Sequence, residues 1–299
     1  MNYNYPVLIV IYNPDTDLLI RNVKAVLSAG AEEILLVDNC DDYSFDLNKL
    51  KGVGLESISH IWNGKNIGIA SALNIGCSYY YEKGYKWVLT LDQDSVIPWN
   101  LFEVYQRFLS NSNDKVAMLS CNHSEKKNAD DNIFKHEFKN LCITSGCLLN
   151  LTAWNQVGRF DEKLFIDGVD HDMCIKLRLN NFNIVYFPNL CMNHNLGNPR
   201  VINILGRKFN VRVGHSPVRM FYMTRNWNYL DNKYKIILSN QTGLNLSYSK
   251  IIFVILLFER SKLSFLTSLF MGYHDFKKGI FRTFNEMRES NSILKWLLK

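Results

Sequence analysis

No Cys-x-x-Cys pair and no long apolar run occur in this sequence. The seven cysteines are odd in number, which predicts reduced core residues and agrees with a cytosolic location. The amino terminus carries no basic stretch, and the apolar run of residues 7–12 is too short for a secretion signal. A second run, residues 251–258, falls far short of the roughly 20 apolar residues that a membrane-spanning helix needs. We therefore expect a cytoplasmic protein without a transmembrane helix.

Internal repeats and low-complexity linkers are also missing from the sequence. The chain has 299 residues, of which 47% are hydrophobic and 13% aromatic. This composition excludes a disordered or fibrous protein and predicts a substantial core. The length suits one large α/β domain with an appendage.

Positive charge is sparse in the first two thirds of the chain and concentrated in the last third. From Arg200 onward the sequence has 17 lysines and arginines against 5 acidic residues, whereas the first 199 residues have a net charge of −6. This asymmetry predicts an anionic partner for the carboxyl-terminal part, either a membrane or a nucleic acid. Because no nucleic-acid-binding motif accompanies the charge, we expect a membrane surface and no nucleic acid.

Short apolar runs alternate with helical patterns along the first part of the chain. This alternation is typical of βαβ units and predicts an α/β fold with a mostly parallel, doubly wound sheet. From residue 216 onward the pattern becomes helical, aromatic and basic. Strands are predicted near residues 7–12, 33–38, 57–61, 86–92, 116–121, 142–150 and 184–187, and helices near 16–29, 68–83, 99–110 and 167–180.

Three Asp-x-Asp motifs occur in the sequence, and their positions differ. The first, at residues 15–17, precedes a helical pattern and is typical of helix capping. The second, at residues 92–94, directly follows an apolar strand, at the end where open α/β sheets bind ligands. Two aspartates there can hold a hard divalent cation, which in turn holds phosphate oxygens. The third, at residues 170–172, lies on a predicted helix.

Other polar residues follow the neighbouring strands of the predicted sheet. A carboxylate after an early strand suits nucleoside recognition, because it accepts hydrogen bonds from base or ribose groups. Two glycines around a Lys-Asn pair permit close approach of a ligand to the backbone, and the lysine supplies a cation near phosphate. The residues that together predict one ligand-binding edge are Asn13, Asp38, Asn39, Gly64, Lys65, Asn66, Gly68, Asp92 and Asp94.

A longer series of motifs runs through residues 6 to about 230. In chain order they are Tyr12-Asn13-Pro14, Val37-Asp38-Asn39, residues 63–76, Leu91-Asp-Gln-Asp94, Ser145-Gly146, residues 158–162, residues 165–174, His194-x-x-Gly197 and His215-Ser-Pro-Val-Arg219 with Tyr222 and Arg225-Asn226. The series resembles family 2 inverting glycosyltransferases of the GT-A fold. Within that family it is most similar to bacterial rhamnosyltransferases that build surface polysaccharides from dTDP-L-rhamnose.

This resemblance implies the roles of residues on the donor side of the site. Asp92 and Asp94 would lie at the sugar-nucleotide diphosphate, with Asp94 coordinating Mg²⁺ or Mn²⁺ and His194 completing the metal site. Asp38 would bind the base or ribose. A metal at this place would stabilise the departing dTDP as a Lewis acid. Further contacts with the nucleotide sugar are assigned to Asn13, Asn39, Lys65, Asn66, Gly68, Gln93 and Arg225.

The resemblance also implies a catalytic base. In the wider family a Glu-Asp pair precedes a second aspartate, and the aspartate of the pair takes the proton of the acceptor hydroxyl. Here Val169 replaces the glutamate, while Asp170 and Asp172 keep their spacing. We assign the base to Asp170, with Asp172 and Asp167 as alternatives. Residues two apart on a helix point in different directions, so only one of Asp170 and Asp172 is expected to face the acceptor.

The resulting expectation is an enzyme of two parts. Residues 1–215 would form the GT-A catalytic domain, and residues 216–299 a helical, basic region at the inner face of the plasma membrane. The expected reaction moves L-rhamnose from dTDP-β-L-rhamnose to a hydroxyl of a lipid-linked glycan in surface-polysaccharide or O-antigen synthesis. Two alternatives stay open: the same fold using a UDP-hexose or another nucleotide sugar, and a non-catalytic scaffold of an assembly complex. The sequence allows an oligomer.

Overall fold

The computed structural model describes residues 5–42, 44–112, 115–123, 132–194, 200–204, 207–211, 216–235 and 248–298. Its strands are β1 (Val7–Ile11), β2 (Ile34–Asp38), β3 (Ile58–Trp62), β4 (Trp87–Asp92), β5 (Ser95–Val96), β6 (Val116–Asn122), β7 (Glu137–Phe138), β8 (Cys147–Asn150), β9 (Asn183–Cys191), β10 (Asn193–His194), β11 (Arg200–Ile204) and β12 (Arg207–Val211). Its helices are α1 (Thr16–Ser28), α2 (Ile69–Glu82), α3 (Leu101–Asn111), α4 (Leu151–Gln156), α5 (Val169–Leu179), α6 (Pro217–Tyr234), α7 (Tyr248–Phe258), α8 (Lys262–Lys278), α9 (Phe284–Glu289) and α10 (Ser292–Leu297).

The apolar runs of the sequence form the centre of an eight-stranded sheet. β1 and β2 are buried at every residue, and β4 is buried at its four central residues. β1 pairs in parallel with both β2 and β4, so that Ile11 lies beside Asp38 and Val10 beside Asp92. The polar residues that follow these three strands therefore meet at one edge of the sheet, as predicted.

The predicted α/β fold with a mostly parallel sheet is confirmed. The strand order is β3-β2-β1-β4-β8-β6-β9-β7, and β2–β3 and β6–β9 are also parallel pairs. β8 is antiparallel to both β4 and β6, and Cys147 at its start pairs with Thr90 near the end of β4. This direction matters for the site, because it brings the loop before β8 to the carboxyl end of β4.

Helices α1 and α2 begin and end within a residue or two of the predicted limits. The Asp15 carboxylate accepts hydrogen bonds from the backbone of Asp17 and Leu18, so the first Asp-x-Asp motif caps α1 as expected. On α2, Gly76 packs directly on the sheet, and a Cβ at this position would collide with the Leu8 side chain. The sequence therefore needs the smallest residue where α2 crosses β1.

The chain divides into two compact units. Unit 1 comprises Met1–Glu162 and Val169–Asn195, and unit 2 comprises Lys163–Gly168 and Leu196–Lys299. Within unit 2, the ring of Phe165 stacks on that of Tyr222, with centroids 4.9 Å apart. The division into a catalytic part and a membrane-associating part at residues 215 and 216 concerns function, and it stays a prediction.

The apolar run of residues 251–258 forms most of α7, which is 11 residues long. Across the ranges that the structure describes, every helix is too short or too polar to span a bilayer.

Candidate active site

Asp38, at the end of β2, is turned inward. Its side chain is fully buried, and its Oδ1 accepts a hydrogen bond from the Cys40 backbone at 2.9 Å. Its Oδ2 accepts one from the Phe45 backbone at 2.6 Å and contacts His60 Nε2 at 3.1 Å. Burial by itself raises the pKa of Asp38, but these hydrogen bonds outweigh it and leave the pKa below its usual value. Asp38 therefore shapes the loop that follows β2, and its contact with the base or ribose stays a prediction.

The Asn39 amide is also used within the protein. Its Nδ2 donates to the Gly68 carbonyl at 3.2 Å, and its Oδ1 accepts from Asn63 Nδ2 at 2.7 Å. Asn66 Oδ1 in turn accepts from the Gly68 backbone at 3.0 Å. The buried Asn39 side chain thus holds the loops after β2 and β3 together, and its contact with the nucleotide sugar stays a prediction. Lys65 is exposed beside them, and the roles of Lys65, Asn66 and Gly68 toward the nucleotide sugar stay predictions.

A carboxylate that sequence reasoning missed lies on the outer side of these loops. Asp41 is exposed, and its two oxygens accept hydrogen bonds from the Tyr12 hydroxyl at 3.0 Å and from the Asn66 backbone at 2.9 Å. The Tyr12 and Trp62 side chains are 42% and 43% exposed beside it. In the sequence Asp41 had only the appearance of a turn residue, because nothing in a pattern shows which of two nearby aspartates turns outward.

Gln93 joins the end of β4 to the end of β1. Its Oε1 accepts a hydrogen bond from the Tyr12 backbone N–H at 2.8 Å, and its Nε2 donates to the Tyr12 carbonyl at 3.2 Å. Both the oxygen and the nitrogen of the Gln93 amide are thus bonded to the Tyr12 backbone, and the contact of Gln93 with the nucleotide sugar stays a prediction. Asn13, which follows Tyr12, is exposed and has a φ of 44°, a left-handed conformation that asparagine tolerates. Its predicted contact with the nucleotide sugar stays a prediction.

Three carboxylates concentrate negative charge at the carboxyl end of β4. The pKa of Asp92 is raised to about 7, chiefly by burial and further by the charges of Asp170 and Asp94. The Asp92 backbone is held at both ends of its peptide: its N–H donates to Ser145 Oγ at 3.0 Å, and its carbonyl accepts from Asn22 Nδ2 at 2.8 Å. The second and third Asp-x-Asp motifs are therefore brought together, one on the strand end and one on α5.

The charge cluster suits a divalent cation that is bound partly by the protein and partly by the substrate. In the described ranges, no three His, Cys, Asp or Glu side chains are arranged to hold a metal ion. Asp92 and Asp94 would therefore supply one or two oxygens, and substrate phosphates would supply others, which is the usual manner of Mg²⁺ binding. The backbone of β10 pairs with β5, so that His194 lies opposite Ser95, next to Asp94 in sequence. The side chain of His194 lies outside what the structure describes, and its role as a ligand stays a prediction.

Asp170 lies in the first turn of α5, where a carboxylate is favoured by the helix dipole. Its Oδ1 accepts two hydrogen bonds from Thr144, one from the backbone N–H at 3.2 Å and one from Oγ1 at 2.5 Å. The alternative base Asp172 is fully buried and forms an ion pair with Lys176 at 2.9 Å. Of these two aspartates, the structure therefore leaves Asp170 better suited to meet a substrate.

The remaining alternative, Asp167, belongs to unit 2. It has a φ of 66° and forms a two-point ion pair with the Arg219 guanidinium, at 2.5 and 3.2 Å. Both oxygens of Asp167 are thus engaged by Arg219 within unit 2.

Arg225 is an internal residue of unit 2. Its side chain is fully buried, and its guanidinium donates to the carbonyls of Arg282 at 2.6 Å and Lys163 at 3.3 Å and to Asn226 Oδ1 at 3.0 Å. Burial lowers the pKa of Arg225 to about 10. Arg225 thus holds segments of unit 2 together, and its contact with the nucleotide sugar stays a prediction. The motif could not reveal this, since a buried and an exposed arginine look alike in sequence.

The loop before β8, residues 143–146, contacts both parts of the site: the end of β4 with Asp92, and the start of α5 with Asp170. Thr144 holds Asp170, and Ser145 holds the Asp92 backbone and contacts Ser95 Oγ at 2.9 Å. The Ser145 carbonyl also contacts His123 Nε2 at 2.6 Å. Sequence reasoning singled out only Ser145-Gly146 here, and it missed Thr144 and His123.

With this geometry established, comparison with known proteins identifies the class. The family model described as glycosyl transferase family 2 matches residues 7–186, which is more than half of the chain. The chain belongs to glycosyl transferase family 2, and the protein is a glycosyltransferase.

One relative aligns with almost the whole of this chain. The dTDP-rhamnosyl transferase RfbF of Shigella flexneri is 29% identical over 308 aligned residues, which cover 94% of this chain and 97% of RfbF. The protein is thus similar to a rhamnosyltransferase from end to end.

Solved structures show the same fold. The crystal structure of GalNAc-T7 with UDP, GalNAc and Mn²⁺ has a TM-score of 0.52 at 14% identity, and the match covers 97% of this chain and 58% of that one. The crystal structure of TarS from S. aureus has a TM-score of 0.53 at 14% identity, covering 99% of this chain and 50% of that one. The chain therefore spans about half the length of these proteins, and the likeness concerns the fold alone.

Proposed function

We propose that the protein is an inverting rhamnosyltransferase that moves L-rhamnose from dTDP-β-L-rhamnose to a hydroxyl of a lipid-linked glycan. The observation that carries the enzymatic part is the convergence of Asp92, Asp94 and Asp170 at the carboxyl end of β4. The donor is supported by the similarity to RfbF, whose name states that it is a dTDP-rhamnosyl transferase. The product would contribute to a surface polysaccharide such as O antigen.

The donor diphosphate is proposed to lie at Asp92 and Asp94, whose carboxylates would hold Mg²⁺ or Mn²⁺. When bound, the metal would supply Lewis-acid stabilisation of the negative charge that develops on the leaving group. The fold relative GalNAc-T7 has Mn²⁺ in its crystal structure, which supports a divalent cation in this fold. The residues proposed to hold it are Asp94 and Asp92, with His194 as a further ligand.

Asp170 is proposed as the general base of a single displacement. Its carboxylate accepts the proton of the acceptor hydroxyl while that oxygen forms a bond to C1 of the rhamnose. The bond between C1 and the phosphate oxygen breaks at the same time, and its electron pair leaves with dTDP. Attack from the face opposite the leaving group converts the β-linked donor into an α-linked product.

A panel of nucleotide sugars, assayed with and without EDTA, tests donor and metal together. We expect dTDP-rhamnose to release its nucleoside diphosphate faster than UDP-glucose, UDP-galactose or UDP-N-acetylglucosamine, and EDTA to abolish the release. A UDP-sugar that reacts fastest would overturn the donor assignment. Protection of the fold by dTDP without any turnover would support a non-catalytic scaffold instead. Activity that survives EDTA would contradict the metal assignment.

The acceptor side of the proposal rests on the surface of unit 2. α8 buries Phe265, Leu269 and Gly272 on one face, while Leu263 and Phe270 on the other are 64% and 65% exposed. Exposed lysines lie at both ends of the same helix, and α7 exposes further large apolar side chains. A helix with an apolar outer face and basic ends suits the interface of an anionic membrane. These features support the proposal that the enzyme works at the inner face of the plasma membrane, where a lipid-linked acceptor would lie.

Vesicle binding tests this membrane face. Replacing Leu263 and Phe270 together with glutamate is expected to weaken binding to vesicles of phosphatidylcholine and phosphatidylglycerol at least about 10-fold, because each apolar side chain gains about 1.5–3 kcal/mol on burial. Binding of the wild type should fall as salt is added. Phe138→Glu, which changes an exposed aromatic residue of unit 1, is the matched control and should bind like the wild type. Equal binding by all three proteins would overturn the proposal.

A further inference from the structure

The loop before β8 sets the position of the proposed base. Its Thr144 residue uses both of its hydrogen-bond donors, the backbone N–H and the hydroxyl, on the same carboxylate oxygen of Asp170. In the part of the chain that the structure describes, the other oxygen, Oδ2, receives no hydrogen bond. Two donors on one oxygen fix the rotation of a carboxylate about its last torsion, which is otherwise broad. They leave the second oxygen to meet the substrate.

The loop itself is held by hydrogen bonds with β4 and by close packing around Gly146. Thr90 lies on β4, two residues before Asp92, and its hydroxyl donates a hydrogen bond to the Thr144 carbonyl at 2.6 Å. The Gly146 backbone donates to the Thr90 carbonyl at 2.8 Å, and Gly146 has a φ of 75° with no room for a Cβ between Met192 and Cys121. The peptide that presents the Thr144 hydroxyl is therefore fixed by β4, the strand that also carries Asp92.

We infer that Thr144 is a positioning residue, which holds Asp170 in the orientation that accepts the proton of the acceptor hydroxyl. Ser145, the next residue, holds the Asp92 backbone, so one short loop sets the donor-side and acceptor-side carboxylates relative to each other. Thr144 does not touch the reacting atoms and acts only through Asp170. The inference rests on the proposed function, because it needs Asp170 to be the base.

The test compares Thr144→Val, which keeps the shape and removes the hydroxyl, with Thr144→Ser, which keeps the hydroxyl. A hydrogen bond to a charged group is worth enough for Thr144→Val to lower kcat by roughly 10- to 100-fold, and Thr144→Ser should restore it to within about threefold. The dissociation constant of the donor, measured by intrinsic tryptophan fluorescence, should stay within about twofold, because no donor contact is removed. Thr152→Val, which makes the same change at an exposed position of α4, is the matched control.

The outcomes separate this inference from the proposed function. The assay uses whichever nucleotide sugar the wild type turns over fastest, so a donor other than dTDP-rhamnose leaves the role of Thr144 testable. A kcat of Thr144→Val equal to that of the wild type, or a loss in Thr152→Val as large as that in Thr144→Val, overturns the inference alone. A loss that Thr144→Ser does not restore also overturns it. If the wild type turns over no nucleotide sugar, the inference fails together with the enzymatic function.

Discussion

Replacing Asp170 with asparagine is expected to lower kcat by about 10²–10⁴-fold, which is the usual contribution of a general base. Asparagine has nearly the same shape and can still accept the hydrogen bonds of Thr144, so the fold should be kept. The donor should bind as in the wild type, because Asp170 is proposed to act on the acceptor hydroxyl. The measurement is the initial rate of nucleoside diphosphate release, with donor binding followed by tryptophan fluorescence.

The two alternative bases provide the comparison. Asp172→Asn breaks a buried ion pair with Lys176, so its main effect should be a loss of stability of about 3–5 kcal/mol. Asp167→Asn removes an ion pair with Arg219 in unit 2 and should leave kcat far closer to the wild type than Asp170→Asn does. Near-normal turnover in Asp170→Asn, with a folded Asp167 or Asp172 variant that is inactive, would assign the base elsewhere.

Replacing Asp92 with asparagine is expected to make the metal-free protein more stable at pH 8 and far less active. The pKa of Asp92 is raised to about 7 by burial and by the charges of Asp170 and Asp94, so its ionised form is unfavourable in the folded state. One unit of pKa displacement is worth about 1.4 kcal/mol, and 1 kcal/mol raises the melting temperature of a chain of this size by about 2–4 °C. We therefore expect the melting temperature of Asp92→Asn, in EDTA at pH 8, to rise by at least about 3 °C. Activity should fall by about 10²–10³-fold, as for other lost electrostatic contacts with a leaving group.

The difference in stability between Asp92→Asn and the wild type depends on pH in a way that follows from the direction of the pKa shift of Asp92. Because the folded pKa of Asp92 lies above its unfolded value, the folded state binds the proton more tightly. The wild type should therefore gain stability as the pH falls from about 7 toward 4, and the advantage of Asp92→Asn should narrow over that range. Adding MnCl₂ at pH 8 should raise the melting temperature of the wild type more than that of Asp92→Asn. If Asp92→Asn were less stable than the wild type at pH 8, the claim that the ionised Asp92 carboxylate destabilises the folded state would be wrong.

The positions of strands and strand ends could be predicted because they depend on local pattern. The apolar run that ends at Asp92 predicted β4, and the parallel pairing of β1 with β2 and β4 placed the polar residues at one edge. The helix with Asp170 and Asp172 is observed as α5, within two residues of its predicted limits. In these cases hydrophobic burial decides the structure, and buried apolar residues recur in the sequence with the period of the strand or helix.

The direction of a polar side chain could not be predicted in the same way. Asp38 and Asp41 follow the same strand, yet the first is buried under backbone N–H groups and the second is exposed. Arg225 belongs to a conspicuous motif but donates to carbonyls inside unit 2. Thr144 has its role only because β8 is antiparallel, a pairing between residues far apart in sequence. Such outcomes depend on tertiary contacts, which composition and periodicity do not record.

The division of the chain also bears on how relatives could exchange parts by recombination. A single crossover that replaces the carboxyl-terminal helices would leave Lys163–Gly168 behind, although this segment belongs to unit 2. Asn226 binds the carbonyls of Ile166 and Asp167, and Arg225 binds that of Lys163, so these contacts accept any side chain in the segment left behind. The ion pair of Asp167 with Arg219 and the stacking of Phe165 on Tyr222 are different, because each depends on both side chains. Hybrid genes should therefore preserve these contacts when their parents agree at positions 165, 167, 219 and 222.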